Sequence, residues 1–158
     1  MKKINSFNIR VYGLFINRKN EILLADEKRF GMLMTKFPGG GMQYGEGTID
    51  CLKREAREEL GQEIEIVRHF YTTDFFQQSA FNESHQLISI YYLCRFTGKE
   101  EFRLSDKHHD FNDIDIEPIS FRYKTITEIK DEHLTFPTDR CVMHLLQREE
   151  CYRNIQNP

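Results

Sequence analysis

Apolar and polar residues alternate along residues 7–15, which predicts a β-strand with one buried face. The polar residues 17–20 then predict a turn, and residues 21–25 are expected to return as the second strand of a hairpin. Residues 87–96 are almost continuously apolar, as in a central strand that is covered on both faces. Two further segments have strand character: residues 64–73 and residues 117–124.

Two other segments carry apolar residues at helical spacing. The first helix is predicted to be capped by Thr48 and to end at Gly61 in the left-handed conformation. Four of its residues share one apolar face, which is expected to dock on the sheet: Ile49, Leu52, Ala56 and Leu60. The second helix is predicted to be capped by Thr138 and to carry another apolar set: Val142, Met143, Leu145 and Leu146. This order of elements predicts an α/β (α+β) fold with a mixed sheet, in a single domain of residues 1–158.

Composition and charge are typical of a soluble globular protein, with 39% hydrophobic and 30% charged residues. The net charge of −3 argues against general binding of nucleic acid, which usually requires a basic face. No apolar stretch approaches the length of a membrane span, and polar residues follow Lys3 where a signal peptide needs an apolar run. We therefore expect neither nucleic-acid nor membrane partners. Scattered cysteines without metal-ligand spacing predict free thiols and a cytoplasmic location: Cys51, Cys94, Cys141 and Cys151.

Three acidic side chains gather near the end of the first predicted helix: Glu55, Glu58 and Glu59. Glu55 and Glu59 lie one helical turn apart and repel each other, and carboxylates in a last turn face the negative end of the helix dipole. Steps of about 100° per residue place all three on one flank of the apolar face, away from Lys53 and Arg57. A bound divalent cation would explain the grouping, although the three residues alone fit a solvated helix face better.

The residues before the helix change that balance. Glycine permits positive φ and a close approach of the backbone to a ligand, and the loop contains five glycines: Gly39, Gly40, Gly41, Gly45 and Gly47. Residues 40–62 resemble the signature of the Nudix hydrolases, G-x5-E-x7-R-E-U-x-E-E-x-G-U, in which U is aliphatic. The matching positions are Gly40, Glu46, Arg54, Glu55, Ala56, Glu58, Glu59 and Gly61. Gln62 stands where an aliphatic residue is usual, and we expect Ile64 to take over its packing role.

The resemblance implies a Nudix-like α/β/α sandwich and a pyrophosphohydrolase that uses Mg²⁺ or Mn²⁺ to cleave a nucleoside diphosphate linked to another group X. Carried over by position, the metal ligands are Glu55, Glu58 and Glu59. Glu55 is alternatively the group that activates water. The catalytic set implied by the resemblance is Glu55, Glu58 and Arg54, with Arg54 orienting the acids by ion pairing. The residues that support the loop and the phosphate are Gly39, Gly40 and Glu46, with Glu46 paired to Arg54.

Candidates outside the signature are weaker. Members of the family often recruit a further acid from a distant loop, and residues 97–118 hold seven acids against three bases. Each acid taken singly fits a solvated loop better: Asp106, Asp110, Asp113, Asp115 and Glu117. The adjacent His108 and His109 are a candidate metal or phosphate contact but are more typical of a surface pair. Cys51 is expected to be a small packing residue, because acidic neighbours disfavour a thiolate.

Substrate choice is the least determined property. Four aromatic residues are weak candidates for stacking on a nucleobase: Tyr44, Phe75, Phe76 and Phe81. We expect a small nucleoside diphosphate derivative such as ADP-ribose or a nucleotide sugar, with a nucleoside triphosphate as the alternative. A non-catalytic nucleotide sensor is a third interpretation, which the intact metal-site residues and the balanced charge of residues 120–158 disfavour. Homodimers are common in the family, and the sequence neither supports nor opposes one.

Overall fold

The computed structural model describes residues 3–112 and 116–149. The helices and strands are β1 (Ser6–Phe15), β2 (Glu21–Arg29), β3 (Met32–Lys36), β4 (Gly39–Gly41), α1 (Thr48–Leu60), β5 (Ile64–Thr72), β6 (Gln77–Gln78), β7 (His85–Phe96), β8 (Ile119–Thr125) and α2 (Pro137–Arg148). Two short 3-10 turns, Ile126–Glu128 and Asp131–His133, connect β8 to α2. The described residues form two compact units: the first draws on residues 3–13 and 39–99, and the second on residues 14–38, 100–112 and 116–149.

A five-stranded sheet forms the first unit, with β4, β1, β7 and β5 as neighbours in that order and β6 paired to β7. β4 is antiparallel to β1, and this pairing sets Gly40 opposite Val11. α1 packs against β4 and β5. The glycine strand and the helix that carries the glutamates are thus neighbours in one unit.

The central position predicted for residues 87–96 is confirmed, because β7 lies between β1 and β5. Its coverage is less complete than predicted. Ser89, Tyr91 and Leu93 are buried, whereas the intervening Ile90 and Tyr92 are only half-buried. β5 ends at Thr72 and contains two register shifts against β7.

The predicted hairpin between the first two strands is wrong, although its turn is correct. The Asn17 side chain accepts hydrogen bonds from the backbone N–H groups of Lys19 and Glu21 and closes a polar turn. β1 and β2 then meet only at a bridge between Ile16 and Ile22 among the described residues. The physical reason is that β1 already pairs with β4 on one edge and β7 on the other, so its ladder positions are taken.

A three-stranded sheet of order β3-β2-β8 forms the second unit, and both pairs are antiparallel. A parallel bridge joins Leu104 to Phe121, so the strand pairing of the chain is mixed, as predicted. α2 begins two residues earlier than predicted: Phe136 is its N-cap and Pro137 its first residue. Thr138 is therefore not the cap but is buried inside the first turn, because proline is well suited to a first helical position. In the part of the chain that the structure describes, no helix is both long and apolar enough to cross a membrane.

Candidate metal and catalytic site

The start of α1 is fixed by residues other than the predicted cap. Gly47 precedes the helix, and its N–H donates to Asp50 Oδ2 at 3.2 Å. Thr48 is the first helical residue, and its Oγ1 lies 2.7 Å from Tyr92 Oη on β7. The prediction of Thr48 as the cap is thus wrong, because the Asp50 carboxylate meets the first free backbone N–H and the Thr48 hydroxyl is engaged with the sheet.

One face of α1 is buried, largely as predicted. Leu52, Ala56 and Leu60 are at most 4% exposed, and Cys51 joins them at 0%. Ile49 does not belong to this face, since it remains 41% exposed. Long helical side chains cover the turn on the N-terminal side of their own Cα, so a residue in the first turn projects past the start of the helix.

The end of α1 follows the prediction. Gly61 is left-handed with a φ of 63°, and its N–H donates to Arg57 O at 3.1 Å. The bond from Gly61 is that of the simple left-handed helix ending, and the N–H of Gln62 also donates to Ala56 O, at 3.3 Å. Ile64 is buried, as expected, but Gln62 is buried as well, so the position usually occupied by an aliphatic residue keeps a packed side chain.

Arg54 is the centre of the site. Its Nη1 donates to Glu55 Oε1 at 2.9 Å and to Glu58 Oε2 at 3.0 Å. Its Nε and Nη2 both donate to the carboxylate of Glu46, and Nη2 also donates to the backbone oxygen of Gly41 at 3.0 Å. A planar guanidinium can serve several acceptors in a fixed geometry. The predicted pairing of Arg54 with Glu46, and its contact with two of the three helix acids, are both present.

Electrostatics hold Glu46 and Arg54 in their charged forms. The hydrogen bonds from Arg54 and from the backbone N–H of Gln43 lower the pKa of Glu46 to about 2. The same bond to Glu46 raises the pKa of Arg54 above its ordinary value. Burial, followed by the charges of Glu46 and Glu55, raises the pKa of the Cys51 thiol to about 12. Cys51 is therefore protonated at neutral pH and acts as a packing residue, as its sequence context predicts.

The two glycines assigned to loop support are both confined by close neighbours. A Cβ on Gly40 would lie 2.6 Å from Glu55 Oε2, so the Glu55 carboxylate occupies the space that a side chain would need. Gly39 has a φ of 134°, and its Cβ would lie 2.9 Å from Tyr12 Cα. Only glycine fits these positions without displacing a neighbour.

The three helix acids differ in exposure. The Glu55 side chain is 12% exposed and packs on Gly40, whereas that of Glu58 is 56% exposed. Glu59 is half-buried, with its Oε2 atom out of contact with solvent. The exposed Glu58 carboxylate can therefore meet a ligand from solution, while the Glu55 carboxylate is held against β4.

Two candidate acids of residues 97–118 have partners in the second unit. Asp110 accepts from Arg103 at 2.8 Å and from Ser105 Oγ at 2.7 Å. Glu117 lies 3.5 Å from Arg29. Asp113 and Asp115 lie outside the described residues. The recruitment of an acid from this segment to the metal site stays a prediction.

The second unit contains a buried polar network that the sequence did not predict. Asp26 is fully buried and accepts hydrogen bonds from Thr35 Oγ1, from the Arg122 guanidinium and from the backbone N–H of His109. Burial opposes the charged form, but the bonds from Arg122 and Thr35 hold the pKa of Asp26 below its ordinary value. The one sequence signal is an acid placed directly after an apolar run, which does not reveal its partner.

The histidine pair lies beside that network. His108 Nε2 is 3.1 Å from Thr35 Oγ1 and 3.6 Å from Asp26 Oδ1, and its side chain is 55% exposed. One ligand atom from each of Asp26, His108 and His109 falls within 4.8 Å of the others. The lone pairs of Asp26 are nevertheless occupied by protein donors, so we interpret the cluster as a structural network rather than a cation site.

Comparison with known proteins identifies the family and the fold. The NUDIX domain model matches residues 7–134. A Nudix hydrolase from Nitrosomonas europaea has a TM-score of 0.68 at 18% identity, over 89% of this chain and 88% of that one. A MutT Nudix hydrolase from Burkholderia pseudomallei has a TM-score of 0.65 at 18% identity, over 89% and 97%. An ADP-ribose pyrophosphatase from Streptococcus suis has a TM-score of 0.57 at 16% identity, over 90% and 93%.

At these identities the solved structures establish similarity of fold, and they confirm the predicted α/β (α+β) class. The family model adds more, because it covers most of the chain and includes the loop, the glycine strand and the helix described above. The chain therefore belongs to the Nudix hydrolase family.

Proposed function

We propose that this protein is a pyrophosphohydrolase that depends on Mg²⁺ or Mn²⁺ and cleaves a nucleoside diphosphate linked to another group X, by attack of water on phosphorus. The observation that carries the proposal is the bridge made by Arg54, whose Nη1 holds Glu55 at 2.9 Å and Glu58 at 3.0 Å. Arg54 thus holds two of the three helix acids close together beside β4, and a metal site requires ligands that are positioned in this way.

The donor set fits a hard divalent cation. Mg²⁺ and Mn²⁺ prefer oxygen ligands, and Mg²⁺ typically takes a few carboxylates together with substrate phosphates and waters. Glu55, Glu58 and Glu59 offer carboxylate oxygens from a single helix. The exposed Glu58 side chain leaves room on this flank for phosphate oxygens and water. These three residues would hold the metal.

Each residue then has a defined task. A bound divalent cation would neutralise the charge of the diphosphate and make a water molecule more acidic. Glu55, confined between Arg54 and Gly40, would either ligate the metal or accept a proton from the attacking water. Arg54 positions Glu55 and Glu58, and Glu46 positions Arg54. Cys51 fills the space beneath this ion pair.

For the substrate we propose ADP-ribose or a nucleotide sugar, with a nucleoside triphosphate as the alternative. The preference is supported by two solved structures of the same fold, one described as an ADP-ribose pyrophosphatase and one as a UDP-X diphosphatase. The alternative is supported by the similar fold of a MutT protein. The buried Cys51 thiol, which forms no disulfide, supports the cytoplasmic location that we propose for the enzyme.

The experiment is a substrate panel of nucleotide sugars, ADP-ribose and nucleoside triphosphates, incubated with and without Mg²⁺. Release of nucleoside monophosphate that requires Mg²⁺ supports the proposal and identifies the substrate class. Running the reaction in oxygen-18 water should place the label on a phosphoryl product, as attack on phosphorus requires. Folded protein that cleaves no member of the panel but binds one would favour the sensor interpretation instead.

A further inference from the structure

A cavity of about 610 Å³ opens beside the loop that joins β4 to α1. This loop cavity is lined by the start of β1, the loop itself and the first residue of β7, including Phe7, Asn8, Gln43, Tyr44, Glu46 and His85. Its volume falls within the range of about 300–1,000 Å³ that is typical of small-molecule sites. The cavity is therefore large enough for one nucleoside-sized group.

Two aromatic rings on the wall of the loop cavity are left in solvent. Phe7 is 66% exposed, and Tyr44 is as exposed as a tyrosine in an open chain. Aromatic rings that border a cavity and are largely exposed are available to stack on a planar ligand. Every nucleobase has a π-face, so stacking of this kind accepts purine and pyrimidine bases alike.

Hydrogen bonds within the loop fix the backbone on both sides of Tyr44. The N–H of Glu46 donates to Gln43 O at 3.2 Å, and Glu46 Oε2 accepts from Gln43 N at 2.8 Å. Gly45 takes a φ of 90° and lets the chain turn immediately after Tyr44. Because Glu46 also accepts hydrogen bonds from Arg54, the backbone that carries Tyr44 is tied to α1.

The charge of the loop cavity suits an uncharged group rather than a phosphate. Among the described residues, its lining includes no lysine or arginine, which phosphate binding would favour. Its one carboxylate, that of Glu46, is already occupied by Arg54 and by the backbone N–H of Gln43. The side-chain amides of Asn8 and Gln43 each offer donors and an acceptor, as the edge of a nucleobase requires.

We propose that the loop cavity binds the nucleoside of the substrate, with the base stacked on Tyr44 or Phe7 and its edge facing the amides of Asn8 and Gln43. This inference rests on the proposed function, since it assigns one end of the same substrate. Glu46 connects the two places: it lines the cavity, and through Arg54 it is linked to Glu55 and Glu58. The diphosphate would then extend from the cavity toward the carboxylates of Glu55, Glu58 and Glu59.

A binding experiment without metal or phosphate tests the cavity apart from catalysis. Adenosine, guanosine, cytidine, uridine and free ribose are titrated into the metal-free protein and followed by ligand-observed NMR. We expect nucleosides to bind and ribose not to bind. Tyr44→Ala and Phe7→Ala should together weaken nucleoside binding by about tenfold or more, as loss of base stacking does. Phe76→Ala is the matched control, because Phe76 is 57% exposed but lies in the loop after β5.

Nucleoside binding that is unchanged in the Tyr44→Ala, Phe7→Ala double variant would overturn the inference. Equal weakening by Phe76→Ala, or no nucleoside binding at all, would overturn it too. A second readout uses the substrate found in the panel: the Tyr44→Ala, Phe7→Ala double variant should raise KM and leave kcat within about threefold, since stacking on the base is alike in ground and transition states.

The two proposals fail in different ways. If the wild type hydrolyses a substrate and the Tyr44→Ala, Phe7→Ala double variant leaves KM unchanged, the cavity assignment is wrong and the hydrolase assignment stands. If no substrate is hydrolysed but nucleosides bind in a manner that depends on Tyr44 and Phe7, the cavity assignment stands and the hydrolase assignment is wrong.

Discussion

The backbone of Gly40 lies against the carboxylate of Glu55, so closely that a Cβ on Gly40 would be 2.6 Å from Glu55 Oε2. This contact joins the second residue of β4 to the second turn of α1. It explains why a glycine is required at the start of the signature: the missing side chain is the space in which the carboxylate sits. The position of Glu55 therefore depends on β4 as well as on its own helix.

Gly40→Ala should displace the Glu55 carboxylate and lower kcat/KM by about 100-fold, the scale expected when a catalytic group is misplaced by about 1 Å. Gly41→Ala is the matched control, because its Cβ would meet nothing closer than Arg10 Nη1 at 3.8 Å, an ordinary contact. Steady-state kinetics on both variants, with circular dichroism to confirm folding, make the comparison. Equal activity of the two variants would show that the contact does not position Glu55.

Leu52→Asp and Ile49→Asp should have opposite outcomes although both residues are apolar and one turn apart. Leu52 is 1% exposed, so its loss alone should cost about 2–5 kcal/mol, and burying a carboxylate adds to that. Ile49 is 41% exposed in the first turn, where an acid interacts favourably with the helix dipole. Urea unfolding of soluble protein measures both. Comparable destabilisation by the two substitutions would mean that the helix is rotated from the orientation described here.

Glu46→Gln should change the acid sensitivity of the fold. The pKa of Glu46 is lowered from 4.5 to about 2 by the hydrogen bonds from Arg54 and Gln43. A carboxyl with a lowered pKa stabilises the folded state above about pH 4.5, and this contribution is lost as the pH falls through 4.5 toward 2. The wild type should therefore lose melting temperature more steeply over that interval than Glu46→Gln does. Parallel melting curves against pH would contradict the assignment.

Arg54→Lys keeps the positive charge but removes the planar guanidinium with its several hydrogen-bond donors. Arg54 serves Glu46, Glu55, Glu58 and the Gly41 carbonyl from three nitrogens, and a lysine has one. We expect Mg²⁺ affinity or turnover to fall by about 10–100-fold, as for residues that orient metal ligands. Arg57→Lys is the control, since Arg57 contacts the exposed Glu63. Calorimetric titration with Mg²⁺ gives a readout apart from activity, and unchanged affinity and turnover in Arg54→Lys would exclude a positioning role.

Local patterns were sufficient for the carboxylate helix. The spacing of Leu52, Ala56 and Leu60 located its buried face, and Gly61 marked its end, because these features depend on neighbours within one or two turns. Ile49 fits the same spacing but projects past the helix start, which a periodicity alone does not register.

Non-local partners were beyond sequence reasoning. Asp26 and Arg122 are 96 positions apart and meet because β2 pairs with β8, a pairing that no short pattern encodes. The pairing of β1 was mispredicted for the same reason, since its neighbours β4 and β7 come later in the chain. The loop cavity likewise unites Phe7, Tyr44 and His85 from three separate segments, so of these three residues the sequence indicates only Tyr44, as a weak candidate for stacking on a nucleobase.

The most direct test of the central claim is Mg²⁺-dependent turnover of the panel substrate by Glu58→Gln and Glu59→Gln, compared with Glu63→Gln. The first two remove a negative charge from the proposed metal site without changing side-chain size, whereas Glu63 lies beyond the end of the helix and is 62% exposed. We predict that Glu58→Gln and Glu59→Gln each lower kcat by about 100-fold or more while the fold is retained, and that Glu63→Gln stays within about twofold of the wild type. Wild-type turnover in folded Glu58→Gln and Glu59→Gln would contradict the assignment of the helix carboxylates to the metal site.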